Sequence, residues 1–222
     1  MIIEPIAIFE SPLTTKFGIP RQSGIASRLV GRIVLQPAFR QGEGLRGLED
    51  FDYLWLIWGF SENVDAVKHS TVRPPLLGGN ERVGVWATRS PFRPNNLGLS
   101  SVRILSVDAK AGLINVAGAD LMNGTPIFDI KPYLPYADSH PDARGGFTDS
   151  HSWQCLAVDM PDSVRKQLPP SDCEALIEIL ALDPRPQYHD DPLRIYGMQY
   201  AGFDVRFRVA GNRLLVIDAK KT

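Results

Sequence analysis

The sequence predicts a mainly β protein in which a single antiparallel β-barrel is followed by a small α+β domain at the C-terminus. Seven short runs rich in Val, Ile, Leu and aromatic residues fill the first 135 residues, and Gly, Pro, Asn and Asp bound them. The lack of long helical patterns between these runs disfavours a doubly wound α/β fold. Helical patterns begin only after a polar connection. We therefore expect a barrel domain over residues 1–140 and the α+β domain over residues 153–222.

Closure into a barrel, or near closure, is the natural way for short strands to hide their edges. The run Tyr53–Trp58 is apolar on both faces, so we expect it to be central. The alternation over Val102–Val107 predicts a mostly buried strand. The expected barrel strands are Ile2–Phe9, Arg28–Leu35, Phe51–Gly59, Arg82–Ala87, Ser100–Val107, Leu113–Ala117 and Pro126–Ile130.

The C-terminal region shows helix signals followed by strand signals. Ser171–Glu174 has the spacing of a capping box and opens an apolar helical run through Leu182. Two loops precede this region: Thr71–Asn80, which we expect to be irregular, and Tyr136–Ser152, which we expect to be a mobile connection. The other expected elements are a helix over Pro161–Gln167 and strands over Arg194–Tyr200, Phe203–Val209 and Arg213–Asp218.

Composition narrows the class of protein. Hydrophobic residues make up 44% and charged residues 22% of the chain, as in ordinary globular proteins. No apolar run approaches the roughly 20 residues that a membrane span needs. The N-terminus lacks a secretory pattern, so we expect a cytoplasmic protein. The four histidines show no spacing suited to metal ligation, which predicts that no metal is bound.

Positive charge is concentrated in two segments of a chain whose net charge is only −1. Residues 16–46 contain six basic residues against one acidic residue, and residues 68–103 contain the same numbers. Such segments favour an anionic partner, such as RNA, on one face of the molecule. The alternative is that these arginines and lysines are scattered over solvated surfaces.

The segment Gly84–Ser100 is difficult to explain as packing alone. Two prolines restrict its backbone, while Arg89, Arg93 and Asn95 present hydrogen-bond donors. Gly98 permits a close backbone approach or a positive φ. A rigid loop with guanidinium and amide groups could bind a carboxylate or a phosphate, although a tight turn with solvated arginines would look the same.

The segment Gly118–Tyr133 combines a turn with charged side chains. Asn123-Gly124 is a strong hairpin signal, and its plain interpretation is an ordinary β-turn. Asp129 and Lys131 share one face of the strand that follows, and a buried carboxylate–ammonium pair is costly unless it has a task. The charged groups around the turn are therefore candidates for binding or catalysis.

Taken with Pro20-Arg21-Gln22, these two segments resemble the YaeB-like (TsaA-like) family of tRNA adenine-N6-methyltransferases. Members of that family modify the threonylcarbamoylated adenosine immediately 3′ of the anticodon. The resemblance covers nearly the whole chain, and its most specific parts are the arginine–proline–asparagine run and the Asp-Ile-Lys-Pro-Tyr run. The matching positions are Pro20–Gln22, Arg46–Leu48, Val83–Val85, Ala87–Asn95, Gly98, Asp120, Gly124–Pro126, Asp129–Tyr133, Asp183–Pro186, Tyr188 and Phe203–Arg206.

The resemblance implies a barrel that binds S-adenosylmethionine, acts on tRNA as a homodimer and needs no further cofactor. Arg21 and Arg89 are expected to meet the carboxylate of this methyl donor or an RNA phosphate. Three positions depart from the family pattern: Asn123 replaces the usual Asp, Asn96 the usual Pro, and Ser61 a His found in some relatives. The residues that the resemblance assigns to donor binding are Pro20, Arg21, Gln22, Ser61, Glu62, Arg89, Leu99, Asp120, Leu121, Met122 and Asn123.

The chemistry of the reaction suggests further roles. Methyl transfer from a sulfonium is an in-line displacement that needs alignment more than a strong nucleophile. The adenine amine benefits from an acceptor that takes its proton late. Asp120 or Asp129 could be that acceptor or could make structural hydrogen bonds, and Lys131 could neutralise a donor or substrate group. The residues that we assign to the substrate are Arg93, Asn95, Tyr133 and Arg185.

Two other functions remain open for the same fold. The near-neutral net charge favours a methyltransferase that acts on a small molecule or a protein, and the two basic segments oppose it. The loss of a carboxylate at Asn123 leaves room for a non-catalytic module that binds the donor and senses it.

Overall fold

A closed six-stranded antiparallel barrel forms in the first part of the chain, which confirms the predicted fold class. The computed structural model describes residues 2–40, 42–63, 67, 69–151, 154–186 and 191–222. The strands of this part are β1 (Ala7–Glu10), β2 (Val30–Leu35), β3 (Tyr53–Gly59), β4 (Thr71–Val72), β5 (Val83–Gly84), β6 (Leu97–Asp108), β7 (Leu113–Ala117) and β8 (Thr125–Pro132). Around the barrel the order is β1-β2-β7-β6-β3-β8, while β4 and β5 pair only with each other.

Strand β3 pairs with β6 on one side and with β8 on the other, so its predicted central position is confirmed. Its inward side chains Leu54, Leu56 and Trp58 are buried in the barrel core. Its outer face reaches solvent at Tyr53. A filled barrel covers only the inner face of its wall, so an apolar outer face need not be buried.

Strand β6 is longer and more exposed than predicted. Only Ser100 and Val102 are buried among its residues, whereas Leu99 and Leu105 on the outer side are 58% and 46% exposed. The prediction that Ser100–Val107 is mostly buried was therefore wrong. The apolar residues on its second face have no covering layer among the described residues.

Two regions between β3 and β6 differ from the predictions. The expected barrel strand Arg82–Ala87 contributes only β5, and Val85–Ala87 forms a 3₁₀ turn. The loop Thr71–Asn80, expected to be irregular, contains β4 and a 3₁₀ turn at Pro75–Leu77. Two-residue strands such as β4 and β5 depend on their cross-loop pairing, which the local sequence does not reveal.

The rest of the chain forms an α+β unit, as predicted. Its elements, with the two short helices that precede it, are α1 (Pro135–Asp138), α2 (Phe147–Ser150), β9 (Ala157–Asp159), α3 (Asp162–Arg165), α4 (Pro170–Ala181), β10 (Tyr196–Tyr200), β11 (Phe203–Ala210) and β12 (Arg213–Lys221). The sheet order is β10-β11-β12-β9, and the unpredicted strand β9 runs parallel to β12. None of the helices in the described part of the chain has the length and apolarity to cross a membrane.

Helix α4 begins differently from the capping-box prediction, which was wrong. Pro169 is the residue before the helix, Pro170 is its first residue, and no side chain caps its amino end. Proline fits the first helical position because its φ is fixed near the helical value and its missing N–H would have no partner there. Glu174, the expected partner within the box, instead pairs with Arg28 at 2.5 Å.

Two hydrophobic cores organise the molecule, one inside the barrel and one between α4 and the second sheet. The second core also contains Leu13, Ala26 and Leu29, which lie on the connection between β1 and β2. This connection, residues 11–29, therefore leaves the barrel and packs against the α+β unit. The division at residues 140 and 153 stays a prediction, and residue 153 itself lies outside the described residues.

The indole of Trp58 lies over Gly98, its partner across β3 and β6. A Cβ at position 98 would lie 2.3 Å from an indole carbon. We predict that Gly98→Ala lowers the free energy of unfolding by about 1–3 kcal/mol, the usual cost of overpacking a core. Urea denaturation measures the change. Gly84→Ala is the control, because a Cβ there would meet no atom within 4 Å; equal losses in both variants would contradict the explanation.

Candidate functional site

A chain of buried hydrogen bonds leads from the barrel interior to the carboxylate of Asp120. The indole Nε1 of Trp58 donates to the Ser100 hydroxyl at 2.9 Å, and that hydroxyl donates to Oδ1 of Asp120 at 2.6 Å. Ser100 is only 1% exposed. Two residues that are remote from Asp120 in sequence thereby hold its carboxylate in place at the rim of the barrel.

The carboxylate of Asp120 is largely withdrawn from water. Burial raises its pKa above the ordinary value for an aspartate. The hydrogen bond from Ser100, the Asp120 and Ser23 backbones and the positive charge of Arg89 each oppose that rise. A partly compensated, desolvated carboxylate is typical of binding and catalytic sites.

Arg89 and Gln22 lie beside this carboxylate. Nη1 of Arg89 donates to Oε1 of Gln22 at 2.5 Å, which connects the proline-rich loop to the 11–29 connection. Leu99 precedes Ser100 on β6 and faces outward, where it is exposed. The structure thus brings the predicted donor residues Gln22, Arg89 and Asp120 into one cluster, hereafter the rim cluster.

The turn that contains Asn123 fixes the 11–29 connection. Oδ1 of Asn123 accepts from the Ser11 backbone N–H at 3.1 Å, and the Asn123 N–H donates to the Leu13 carbonyl at 2.8 Å. An uncharged amide performs this task, so the exchange of Asp for Asn keeps the structural contact. The turn does not join a hairpin, because β7 and β8 are not neighbours in the barrel.

The remaining residues of this turn differ in how they can contact a ligand. The side chain of Leu121 is buried in the barrel core, so only the backbone of this residue could contact a ligand. Met122 is half-buried, and its carbonyl accepts both the N–H and the hydroxyl of Thr125. Their assignment to the donor stays a prediction.

Arg21 spans the gap to the α+β unit. Its guanidinium donates to the carbonyls of Leu182 at 2.6 Å and Asp183 at 2.8 Å, just past the end of α4. Burial lowers the pKa of Arg21, and the Asp183 carboxylate opposes that decrease. Pro20 beside it is buried. In this arrangement the Arg21 cation caps a helix end instead of extending towards the rim cluster.

The residues assigned to the substrate are not gathered at one place. Arg185 forms two hydrogen bonds to Asp183, at 2.8 and 2.9 Å. Arg93 donates to the Thr88 carbonyl at 2.7 Å, and Asn95 is exposed in the following turn. Tyr133 packs against Tyr53 and Trp55, at the opposite end of β3 from the rim cluster. Tyr188, which matches the family pattern, lies outside the described residues.

Two further pairs of candidate residues lie at the surface. Lys131 and Asp129 form an ion pair at 3.0 Å with side chains 63% and 45% exposed, so the expectation of a buried pair was wrong. Strand β8 turns this face outward. Ser61 and Glu62 lie in a 3₁₀ turn after β3, and the Glu62 carbonyl accepts from Lys16 at 2.8 Å.

The two cationic segments differ in how their charges are used. In residues 16–46, three arginines form ion pairs with carboxylates, and Arg21, Lys16 and Arg40 donate to carbonyls. In residues 68–103, by contrast, Arg73, Arg82 and Arg93 have no described carboxylate within the 4.0 Å of an ion pair. Lys68 lies outside the described residues.

Sequence reasoning missed Ser100 and Trp58 as parts of the site. Ser100 is the one inward-facing polar residue flanked by apolar inward positions on β6, and this irregularity was a usable signal. The role of Trp58 had no such signal, because a tryptophan in an apolar strand is normally a core residue.

Comparison with known proteins provides independent information. Family models described as the tRNA-methyltransferase O N-terminal domain and the TrmO C-terminal domain match residues 8–139 and 154–222. The tRNA (adenine(37)-N6)-methyltransferase of Escherichia coli K12 is 39% identical over 216 residues, which cover 93% of this chain and 92% of that protein. The enzyme of the same name from Eikenella corrodens is 40% identical over 168 residues, covering 75% and 95%. The crystal structure of TrmO from Pseudomonas aeruginosa superposes with a TM-score of 0.80 at 33% identity, covering 99% of this chain and 98% of that one.

The barrel, the rim cluster and these similarities define the class of protein, a methyltransferase built on a closed β-barrel. Both family models and the near-complete coverage of the bacterial relatives agree on one group within that class. The chain belongs to the tRNA-methyltransferase O family.

The burial of Asp120 leads to a pH-dependent prediction. Because folding raises its pKa, wild-type stability falls as the pH rises from the pKa of Asp120 in the unfolded chain, and the loss is complete above its higher pKa in the folded protein. The stability of Asp120→Asn relative to wild type should therefore increase as the pH rises from about 3 to 7. Urea denaturation at several pH values measures this difference. A difference that stays constant over this range would show that folding does not raise the pKa of Asp120.

Proposed function

We propose that this protein transfers the methyl group of S-adenosylmethionine to N6 of the threonylcarbamoylated adenosine that follows the anticodon in tRNA. The observation that carries the proposal is the rim cluster on the barrel of a tRNA-methyltransferase O family member. There, the buried Asp120 carboxylate and the Arg89 cation lie side by side. S-Adenosylmethionine is the co-substrate and tRNA the partner.

The charges of the rim cluster fit this methyl donor. The donor has a carboxylate, an ammonium and a sulfonium, so its site needs groups of both signs. Arg89 supplies a cation, Asp120 a carboxylate, and Gln22 an amide whose oxygen Arg89 already orients. Leu99, at the position before Ser100 on β6, presents an exposed apolar side chain. When bound, the donor supplies a methyl group on a positively charged sulfur.

A separate concavity lies away from the rim cluster. It has a volume of about 400 Å³ and lies beside Leu193, Arg208 and Arg213 on the second sheet. None of the residues that match the donor-binding positions of the family lines it. We place the donor at the rim cluster because charge, burial and the family pattern coincide there.

Asp120 is a better candidate than Asp129 for accepting the amine proton. Burial has raised the pKa of Asp120, and the Ser100 hydroxyl holds its carboxylate in a fixed position. Asp129 is exposed and neutralised by Lys131. A carboxylate held by Trp58 and Ser100 can orient the adenine amine and take its proton late in the transfer.

The remaining assignments are proposals on the same basis. The two units, residues 1–140 and 153–222, are taken as separate domains that the 11–29 connection holds together. The protein acts as a homodimer in the cytoplasm, and the exposed leucines of β6, Leu97, Leu99 and Leu105, are consistent with a covered surface in a dimer. The reaction uses no metal.

Loss of the Arg89 side chain should weaken donor binding. We predict that Arg89→Ala reduces the affinity for S-adenosylmethionine by about 1.5–3 kcal/mol, the range for a charge-assisted hydrogen bond. Isothermal titration calorimetry measures this loss. Arg82→Ala is the matched control, because Arg82 is an exposed arginine that bonds only to Thr71 among the described contacts. The assignment fails if both variants bind the donor as wild type does while keeping the wild-type melting temperature.

The activity itself is tested with purified protein, S-adenosylmethionine and a threonine-reading tRNA. We expect methylation at N6 of the threonylcarbamoylated adenosine, detected by mass spectrometry of the digested nucleosides. The same tRNA with unmodified adenosine should react far more slowly, because a site built to hydrogen-bond the carbamoyl group is left unpaired without it. Donor binding without methylated tRNA would instead favour a donor-sensing module or a methyltransferase of small molecules or proteins.

A further inference from the structure

Trp86 is a large aromatic side chain presented to solvent. It is 71% exposed, in the 3₁₀ turn that follows β5. Its neighbour Val85 is buried at 2% exposure. The buried Val85 side chain therefore anchors the turn, and the Trp86 side chain points into solvent.

The turn that holds Trp86 is fixed by several hydrogen bonds. The Val85 N–H donates to the Ser70 carbonyl at 3.0 Å, and the Val85 carbonyl accepts from the Thr88 hydroxyl at 2.9 Å. The Arg93 guanidinium donates to the Thr88 carbonyl and lies over the Trp86 ring, 5.4 Å from its centroid. The indole is thus held on a rigid support, with a cation already at its ring.

The surroundings of Trp86 favour a polyanion with aromatic groups. Arg73, Arg82 and Arg93 belong to the second cationic segment, and none of the three forms an ion pair with a described carboxylate. Phe92 is also partly exposed and meets the His69 ring edge-on. A protein partner would need carboxylates for these cations, whereas single-stranded RNA offers phosphates and flat bases together.

Trp86 is also close to the rim cluster along the chain. Arg89 is three positions further along the chain, so the two Cα atoms are at most about 11 Å apart. That is the scale of a few stacked nucleotides. A base bound at Trp86 would therefore neighbour an adenine that reaches the rim cluster.

We infer that Trp86 is a stacking platform for an unpaired base of the anticodon loop next to the adenine that is methylated. The Arg93 guanidinium lies over the indole ring and adds a cation–π contribution. Arg73 and Arg82 lie on the same segment and bind the phosphates of the loop. This inference rests on the proposed function for the identity of the RNA, but the stacking itself is measurable without methyl transfer.

The test compares Trp86→Ala with Trp86→Phe in binding an anticodon stem-loop RNA of a threonine tRNA, measured by fluorescence anisotropy. Trp86→Ala should bind about 10- to 100-fold more weakly, as expected for the loss of one stacked base, and Trp86→Phe should retain most of the affinity. Tyr136→Ala is the matched control, because Tyr136 is an exposed aromatic outside the basic segment. The donor affinity of all three variants should remain at the wild-type value.

The salt dependence separates stacking from charge neutralisation. Trp86→Ala should leave the slope of log affinity against log salt unchanged. Arg73→Ala or Arg82→Ala should make that slope shallower by the amount expected for the loss of about one phosphate contact. Stem-loop binding should also quench the tryptophan fluorescence of the wild-type protein, and Trp86→Phe should abolish most of that quenching. A duplex RNA without a loop should not quench the tryptophan fluorescence, and its binding should not depend on Trp86.

Several outcomes would overturn the inference. Stem-loop affinity of Trp86→Ala within twofold of wild type, or an equal loss in Tyr136→Ala, would exclude stacking at Trp86. Dissociation of a dimer by Trp86→Ala in sedimentation would assign the surface to a second copy of the chain. Trp86-dependent binding without any methylated product would reject the proposed function alone, and methylation with an unchanged KM for tRNA in Trp86→Ala would reject the inference alone.

Discussion

The withdrawal of the Asp120 carboxylate from water is the constraint on which the site depends. A buried carboxylate needs hydrogen bonds and a nearby cation. Ser100 and Arg89 supply them, and Ser100 is itself held by Trp58. Because Trp58 lies over Gly98 in the barrel wall, the position of the carboxylate depends on the packing of β3 against β6.

The connection over residues 11–29 joins this site to the rest of the molecule. It carries Gln22 to the rim cluster, and through Arg21 it binds the last carbonyls after α4. Its apolar residues Leu13, Ala26 and Leu29 enter the core of the α+β unit. A change in how the α+β unit packs would therefore move Gln22, although none of that unit's residues belongs to the rim cluster.

The distribution of ion pairs determines which face can meet a polyanion. Arginines of the 16–46 segment are neutralised by glutamates from β1 and α4, or by Glu43 nearby, so their charge contributes to assembly. In the 68–103 segment, Arg73 and Arg82 are exposed and have no ion pair with a described carboxylate. Counting basic residues along the chain cannot separate these two cases, because the carboxylates that pair with Arg28 and Arg32 come from distant parts of the sequence.

The sequence by itself determined the barrel class, most strands and the family pattern, because alternating apolar residues and proline-rich turns are local signals. It also singled out Arg89 and Asp120 as candidate site residues, which the structure brings into one cluster. Only the tertiary structure revealed the Ser100 relay and the cap formed by Arg21. It also assigned the short pair β4–β5 and exposed the outer face of β6. These features arise from contacts between residues that are remote in sequence. The free energy of such contacts depends on which groups come together when the barrel closes, and a local sequence pattern does not specify this.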